Sequence, residues 1–357
     1  MSFPGFPNER LEELGEAWDL FYRGELGRPM LHFGWIQGEG GGRRSGRRKM
    51  QLVAYPPEVG ADEIIDIEDE HLRGMGYVGD SFPYFSLDFG PGSLSAYLGA
   101  RVEVRGSVWF MHTAERLADI PESIDRGCFV YRRAREVLDA AVSRWAGGPV
   151  LIQPSNLSFN LDVLSQLRTP ERLLTDLVDD PDTVKAKLRA ITEAWMEAFG
   201  EEHGKVSSVK RHFVSSNGTL ARGSTCYIQS DFGYMVSPEM FSEFAMPDIA
   251  AIADFLDHPC YHLDGIPQLR HLPQILAIDK VRVIEFVQGA GSKPPMHWTD
   301  VYRAIHRAGK QCMIFIGPKD ALDLKEAMGG TLRGFSLFIV GAGSRDEAEG
   351  LYRTLIK

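Results

Sequence analysis

Cysteine is scarce in this chain, and its spacing argues against a disulfide scaffold or a zinc-finger design. The 357 residues include four cysteines, far apart and without a CxxC pair: Cys128, Cys226, Cys260 and Cys312. Disulfide-rich domains and structural zinc modules need cysteines that are dense or closely paired. We therefore expect four reduced thiols in a cytoplasmic protein.

Long apolar runs and a targeting segment are also missing. No stretch approaches the roughly 20 apolar residues that a membrane-spanning helix needs. The start, Met1 to Gly5, has neither a basic region nor an apolar core, so it lacks the pattern of a signal peptide. These absences predict a protein that neither crosses a membrane nor is exported.

Positive charge is in deficit, because 39 Lys and Arg stand against 49 Asp and Glu, for a net charge of −10. Nucleic acid and anionic membranes are therefore not expected partners.

One segment is basic within this acidic chain. Residues 38–49 are rich in glycine and arginine but lack the spacing of a P-loop. Two interpretations stay open for this segment: a mobile surface loop, or a lid that grips an anionic substrate or an acidic partner.

Eight short apolar runs are typical of buried strands. They lie at residues 28–36, 84–89, 150–154, 226–231, 260–265, 281–287, 313–317 and 334–341. Helical patterns occur at 9–24, 130–145, 237–256, 269–278, 298–308, 319–328 and 345–355. Two more helices open near residues 170 and 181, and the second of them runs to about residue 199. Alternating strands and helices imply parallel crossovers, and eight such strands favour a closed (β/α)8 TIM barrel over an open sheet. We expect one domain over residues 1–357, with long inserts at 37–80 and 91–130.

Three of these helices have a well-defined start in the sequence. Thr169, Asp180 and Ser237 each precede a proline and an acidic residue. A short polar side chain caps the first turn of a helix, and proline is favoured at its first position. We therefore predict helix starts at Pro170, Pro181 and Pro238.

Polar residues at the ends of the predicted strands are the candidates for chemistry. His262 and Asp264 flank Leu263, so both point to one side of their strand, and Glu285 lies on the next strand. In parallel α/β proteins, functional residues collect where strands meet the loops that follow them. Asp231 lies at the tip of the fourth predicted strand. Four further residues are candidates for substrate binding: Gln229, Asn156, Gln288 and Trp35.

Three interpretations stay open for His262, Asp264 and Glu285. They could hold a metal ion, and a His/Asp/Glu set suits zinc, iron or manganese. Without a metal, Asp264 could orient His262 as a general base, or hydrogen-bond the substrate directly. His262 and Asp264 could also form a buried, hydrogen-bonded pair with a purely structural role.

A series of motifs resembles the uroporphyrinogen decarboxylase superfamily, from about residue 150 to the end of the sequence and more weakly before it. The motifs are Gln229-Ser230-Asp231-Phe232, Met235-Val236-Ser237-Pro238-Glu239-Met240-Phe241, Tyr261-His262-Leu263-Asp264-Gly265, Val287-Gln288-Gly289-Ala290-Gly291, and the segment from Pro294-Pro295 to Gly309-Lys310. The resemblance implies a (β/α)8 barrel. It also implies one of two activities, metal-free decarboxylation of a tetrapyrrole or zinc-dependent methyl transfer to or from a corrinoid.

This sequence departs from both patterns. The decarboxylase has an Arg-rich segment that grips propionates, and the corresponding strand here, Leu31 to Trp35, lacks it. The methyltransferases have His-x-Cys-Gly where this chain has His262-Leu263-Asp264-Gly265. Their second cysteine falls near Gly341-Ala342-Gly343, which offers no ligand.

From the resemblance we expect a methyltransferase that works with a separate corrinoid protein in one-carbon or demethylation metabolism. Asp231, His262, Asp264 and Glu285 would form its site, zinc would be its metal, and a homodimer is in keeping with its relatives. The alternative is a metal-free lyase on a small carboxylic acid, with His262 and Asp231 transferring protons. A third interpretation is a small-molecule binding protein on a barrel without chemistry.

Overall fold

The computed structural model of this protein describes residues 3, 6–34, 36–37 and 50–357. Two of the sequence predictions, the Gly/Arg-rich segment 38–49 and Trp35, lie outside these residues. No helix within the described ranges is both long and apolar enough to span a bilayer.

Every one of the eight predicted strand regions overlaps an observed strand. The strands in the described residues are β1 (Met30–Phe33), β2 (Ile36–Gln37), β3 (Met75–Gly76), β4 (Tyr84–Ser86), β5 (Arg101–Val104), β6 (Val108–Met111), β7 (Leu151–Gln153), β8 (Phe213–Val214), β9 (Leu220–Ala221), β10 (Thr225–Ile228), β11 (His258–Asp264), β12 (Val283–Val287), β13 (Gln311–Ile316) and β14 (Phe335–Ile339). The eight predicted strands correspond to β1, β4, β7 and β10 to β14.

Six of these strands form one parallel sheet in the order β1-β14-β13-β12-β11-β10. Strands that follow one another in the chain are neighbours here, and the first strand pairs with the last. β4 and β7 pair with each other in a second parallel ladder. The protein is therefore a mixed α/β fold organised around parallel strands, as the alternation of strands and helices predicted.

The predicted inserts contain secondary structure of their own. Residues 37–80 include a helix and strand β3, which pairs with β2, and residues 91–130 include the antiparallel hairpin of β5 and β6. A further antiparallel pair, β8 with β9, precedes β10 and was not predicted.

The helices in the described residues are interspersed with these strands along the chain. They are α1 (Asn8–Tyr22), α2 (Ala61–Arg73), α3 (Ser93–Tyr97), α4 (Phe129–Trp145), α5 (Asn160–Arg168), α6 (Pro170–Asp179), α7 (Pro181–Ser207), α8 (Pro238–Phe244), α9 (Met246–Phe255), α10 (Leu272–Leu276), α11 (Thr299–Arg307), α12 (Pro318–Ala327) and α13 (Arg345–Leu355). The predicted starts of α6, α7 and α8 are confirmed. The side chains of Thr169, Asp180 and Ser237 accept hydrogen bonds from the backbone N–H of Arg172, Thr183 and Met240.

Two helical predictions were too simple. The run 237–256 is divided at Ala245 into α8 and α9, with Pro247 in the first turn of α9. Proline has no N–H to donate and clashes with the carbonyl four residues earlier, so one continuous helix is unfavourable there. The run 269–278 is a 3₁₀ turn, Ile266–His271, followed by the short α10, which contains Pro273.

Strand register brings a defined set of side chains to one face of the six-stranded sheet. His262 pairs with Glu285, Glu285 with Met313, and Met313 with Ser336. Two residues further along the strands, Phe315 pairs with Phe338 and Phe338 with His32. Register partners in a sheet share a face, and we call the face that carries these side chains the inner face. It is polar at β11 and β12 and aromatic at β13, β14 and β1.

A buried carboxylate fastens the first insert to β1. Asp80 accepts a hydrogen bond from the backbone N–H of Leu31 at 2.7 Å and two from the guanidinium of Arg28 at 2.7 and 2.8 Å. The Asp80 side chain is 2% exposed, whereas that of Arg28 is 28% exposed. Fixing this carboxylate fixes the chain that leads into β4.

We expect Asp80→Ala to lower the free energy of unfolding by about 3 kcal/mol, because it leaves a charged Arg28 and the Leu31 N–H without their partner. The matched control is Asp323→Ala, which removes an exposed i,i+4 pair with Lys319 and should cost less than about 0.5 kcal/mol. Urea unfolding of both variants measures the difference, and equal losses would contradict the anchoring role.

Candidate metal or acid–base site

His262 is held by a buried carboxylate on the neighbouring strand. Its Nδ1 lies 2.8 Å from Oε2 of Glu285. The Glu285 side chain is 3% exposed and that of His262 19% exposed. An ionised carboxylate only accepts hydrogen bonds, so Nδ1 donates the hydrogen and Nε2 is free for another partner. The structure therefore gives Glu285 the role of orienting His262.

Two more carboxylates complete the candidate site. Asp231, His262 and Asp264 each offer one nitrogen or oxygen atom, and these three atoms lie within 4.8 Å of one another. Asp264 comes from the end of β11, two residues after His262, and Asp231 comes from the turn after β10. We call this group the Asp-His-Asp triad.

Charge and burial act in opposite directions on His262. Burial lowers the pKa of this imidazole, but the hydrogen bond and charge of Glu285, with the charges of Asp231 and Asp264, outweigh it and raise the pKa above its ordinary value. The pKa of Asp231 is raised, because nearby protein atoms desolvate its carboxylate and Asp264 repels its charge, against the attraction of His262. The side chain of Asp231 is nevertheless exposed.

Asp231 is positioned by a residue that sequence reasoning missed. The fourth strand was predicted to run to Asp231, but β10 ends at Ile228, and Asp231 instead begins a 3₁₀ turn, Asp231–Met235. Asp162, in the first turn of α5, accepts hydrogen bonds from the backbone N–H of Asp231 at 3.0 Å and of Phe232 at 2.7 Å. Gln229 donates to the Asp231 carboxylate at 3.0 Å.

Asp162 is itself an unusual acid. Burial and the neighbouring charge of Asp231 raise its pKa to about 7, although the two backbone N–H groups and Gln229 favour the charged form. A signal for it was present in the sequence, since Asp162 interrupts an apolar run, Leu161-Asp162-Val163-Leu164. A lone acid in such a run must find a partner when the helix is buried.

The turn between β8 and β9 supplies a second missed residue. Asn217 donates to Oε2 of Glu285 at 3.4 Å, the same oxygen that faces His262. Asn217-Gly218 is a typical hairpin turn between two short apolar pairs, and this signal was available but not used. The turn thereby contacts the site from outside the six-stranded sheet.

Two other predicted binding residues, Asn156 and Gln288, each donate a hydrogen bond to a tyrosine hydroxyl. Asn156 donates to the hydroxyl of Tyr227 at 2.8 Å, and the Tyr227 ring lies 5.3 Å from that of His262. Asn156 therefore supports a ring that borders the triad. Gln288 donates to the hydroxyl of Tyr302 at 3.1 Å and to the Phe286 carbonyl at 3.3 Å, so both contacts lie within the protein.

The triad fits a divalent metal by its donor chemistry. Catalytic zinc sites use three protein ligands, which can be nitrogen and oxygen atoms, and keep one position open. Zinc binds nitrogen and oxygen ligands at about 2.0–2.2 Å, so tetrahedral ligand atoms lie about 3.4 Å from one another. This separation is inside the 4.8 Å within which the three triad atoms lie. A metal-binding histidine usually donates its other ring nitrogen to a carboxylate, and Glu285 provides that partner.

Comparisons with known proteins bear on the fold. No family model matches the sequence, and no curated protein matches it. The structure is similar to that of a methyltransferase from Methanosarcina mazei, with a TM-score of 0.60 and 12% sequence identity. The match covers 96% of this chain and 97% of that one. The two proteins therefore share a fold over nearly their whole length.

Proposed function

We propose that this protein is a methyltransferase that works with a separate corrinoid protein in one-carbon or demethylation metabolism. The observation that carries the proposal is the Asp-His-Asp triad, whose ligand atoms lie within 4.8 Å of one another beside the buried Glu285. The fold shared with a solved methyltransferase supports it. So does the sequence resemblance, in which His262 falls on the metal-binding histidine of the methyltransferases.

We further propose that the parallel strands close into a (β/α)8 barrel. The first strand, β1, already pairs with the last, β14, which is the arrangement that closure produces. The β4–β7 pair follows β1 in the chain, and β8 contacts both β7 and β10. These contacts support a continuous wall from β1 through β4 and β7 to β10, with the triad at the carboxyl ends of its strands.

In this proposal Asp231, His262 and Asp264 hold a divalent metal, with zinc, iron or manganese as the candidates for this oxygen-rich set. Such a metal supplies Lewis-acid activation of the heteroatom that bears the methyl group, and the partner's corrinoid is the methyl acceptor or donor. Glu285 orients His262 and increases its basicity as a ligand. Asp162 and Gln229 hold Asp231 in place, and a homodimer stays a prediction.

The alternative is a metal-free lyase, and one feature of the geometry favours it. His262 is bonded to a buried carboxylate and faces two more, which stabilises its protonated form. In that reaction His262 would transfer a proton to or from the substrate, with Asp231 as the second acid–base group. A metal ion would instead require the neutral imidazole, so the two functions make opposite demands on this side chain.

Metal content tests the leading proposal directly. We expect about one divalent metal per chain in protein purified without chelators or a polyhistidine tag, measured by elemental mass spectrometry. His262→Ala, Asp231→Ala and Asp264→Ala should each lose it, and Glu285→Gln should weaken metal affinity about tenfold to a hundredfold. The control Asp300→Ala, at a side chain 99% exposed, should retain the metal. Protein that stays metal-free after loading would contradict the triad as a ligand set.

Methyl transfer can be followed with reduced cobalamin as a probe in place of the partner. We expect the absorbance of the reduced corrinoid to decay when the metal-loaded protein is given a suitable methylated thiol, ether or amine. His262→Ala should abolish the decay and Asp300→Ala should preserve it. A metal-loaded protein that is inactive with every donor, and also with candidate corrinoid proteins, would count against methyl transfer.

Titration of His262 in metal-free protein tests its coupling to Glu285. We expect NMR to find its pKa above the ordinary value, and Glu285→Gln to lower it, because the hydrogen bond and negative charge are lost. A histidine whose pKa is raised by folding increases the free energy of unfolding at pH values below its unfolded-state pKa. This contribution is lost as the pH rises through its folded-state pKa. The difference in free energy of unfolding between wild type and Glu285→Gln should therefore decrease as the pH rises. His306, whose pKa burial lowers, is the internal reference and should not change.

A further inference from the structure

A cavity of about 260 Å³ lies on the aromatic part of the inner face, apart from the Asp-His-Asp triad. It is bounded by the ends of β1, β13 and β14 and by residues of the first insert. Sixteen residues line it, and eight carry a ring: His32, Phe33, His71, Tyr77, Phe82, Tyr84, Phe315 and Phe338. None of the described lining residues is Asp, Glu, Lys or Arg, so the lining favours an uncharged ligand.

The rings form a stacked wall. His32 stacks on Phe338 with ring centroids 4.3 Å apart and planes 9° apart, and Phe315 lies 5.1 Å from Phe338. Gly218 permits this arrangement, because a Cβ there would lie 2.6 Å from the Phe338 ring and its φ is +82°. Phe315 remains 46% exposed, so a large apolar ring faces open space where a planar ligand could cover it.

One polar group is built into this wall without a partner. His32 is 3% exposed, and its Nε2 has no hydrogen-bond partner within the described chain. Burial lowers the pKa of its imidazole to about 4, so the ring is neutral at pH 7. Leaving a buried nitrogen unsatisfied costs about 1–3 kcal/mol. A ligand that supplied the missing hydrogen bond would recover that cost.

We infer that this cavity binds an uncharged, single-ring aromatic molecule that carries a hydroxyl group, in the chemical class of the phenols. A cavity of about 150 Å³ can hold benzene, so the present volume accommodates one substituted ring. A planar ring matches the stacked wall of His32, Phe338 and Phe315. A hydroxyl can both donate and accept, so it pairs with Nε2 in either tautomer of His32.

The cavity is connected to the triad by a short chain of contacts. Gly218 lines the cavity, its neighbour Asn217 donates to Glu285, and Glu285 bonds His262. If the proposed methyl transfer holds, the ring in this cavity is the part of the substrate that does not react. Binding itself needs neither a metal nor a corrinoid, so it can be tested whether or not the protein transfers methyl groups.

The test is isothermal titration calorimetry of the metal-free full chain with three probes: phenol, toluene and cyclohexanol. We expect one-to-one binding of phenol, weaker binding of toluene and little binding of cyclohexanol, which is neither planar nor aromatic. His32→Phe retains the stacked ring and removes both ring nitrogens, including Nε2. It should weaken phenol about threefold to tenfold, the effect of one hydrogen bond, and leave toluene unchanged.

A second variant keeps the result interpretable. Val340 lines the cavity and is 45% exposed, so Val340→Trp can fill the space without disturbing the core and should abolish binding of phenol and toluene. Thermal unfolding verifies that both variants fold. Three outcomes would overturn the inference: no saturable phenol binding to wild type, undiminished binding to Val340→Trp, or equal effects of His32→Phe on phenol and toluene.

Discussion

The candidate site depends on the hydrogen bond between His262 and Glu285. A carboxylate as deeply buried as Glu285 is costly unless it is paired, and here it is paired with an imidazole and the amide of Asn217. The bond uses Nδ1 of His262 and directs the rest of the ring toward Asp231 and Asp264. Without Glu285 the imidazole could rotate, and the three ligand atoms would no longer be held together.

Strand register places two chemically different regions on one face of the sheet. The polar region belongs to β11 and β12 and gathers charge, whereas the aromatic region belongs to β13, β14 and β1 and excludes it. The turn containing Asn217 and Gly218 contacts both. Such a division suits a ligand that has a reactive polar end and an inert planar end, since each end meets an environment of its own polarity.

Much of the framework could be predicted from the sequence, because apolar runs and caps are local signals. All eight strand regions were found, and His262 and Asp264 were correctly placed on one strand face. The pairing of Glu285 with His262 required the register between strands, which no local pattern encodes. Asp162 was missed because it reaches Asp231 from a distant helix, and Gln229 was misplaced because β10 ends before it. The break at Ala245 was within reach, since Pro247 is visible in the sequence.

The pairing of β1 with β14 has a consequence for how the protein folds. His32 and Phe338 stack across this pair, so their contact joins the first strand of the chain to the last. Contacts between residues far apart in sequence require closure of a long loop, whose entropy must be overcome before the contact stabilises the fold. During synthesis the triad residues precede β14, whereas the stacked wall requires it. The aromatic half of the inner face therefore cannot form until the final strand docks against the first.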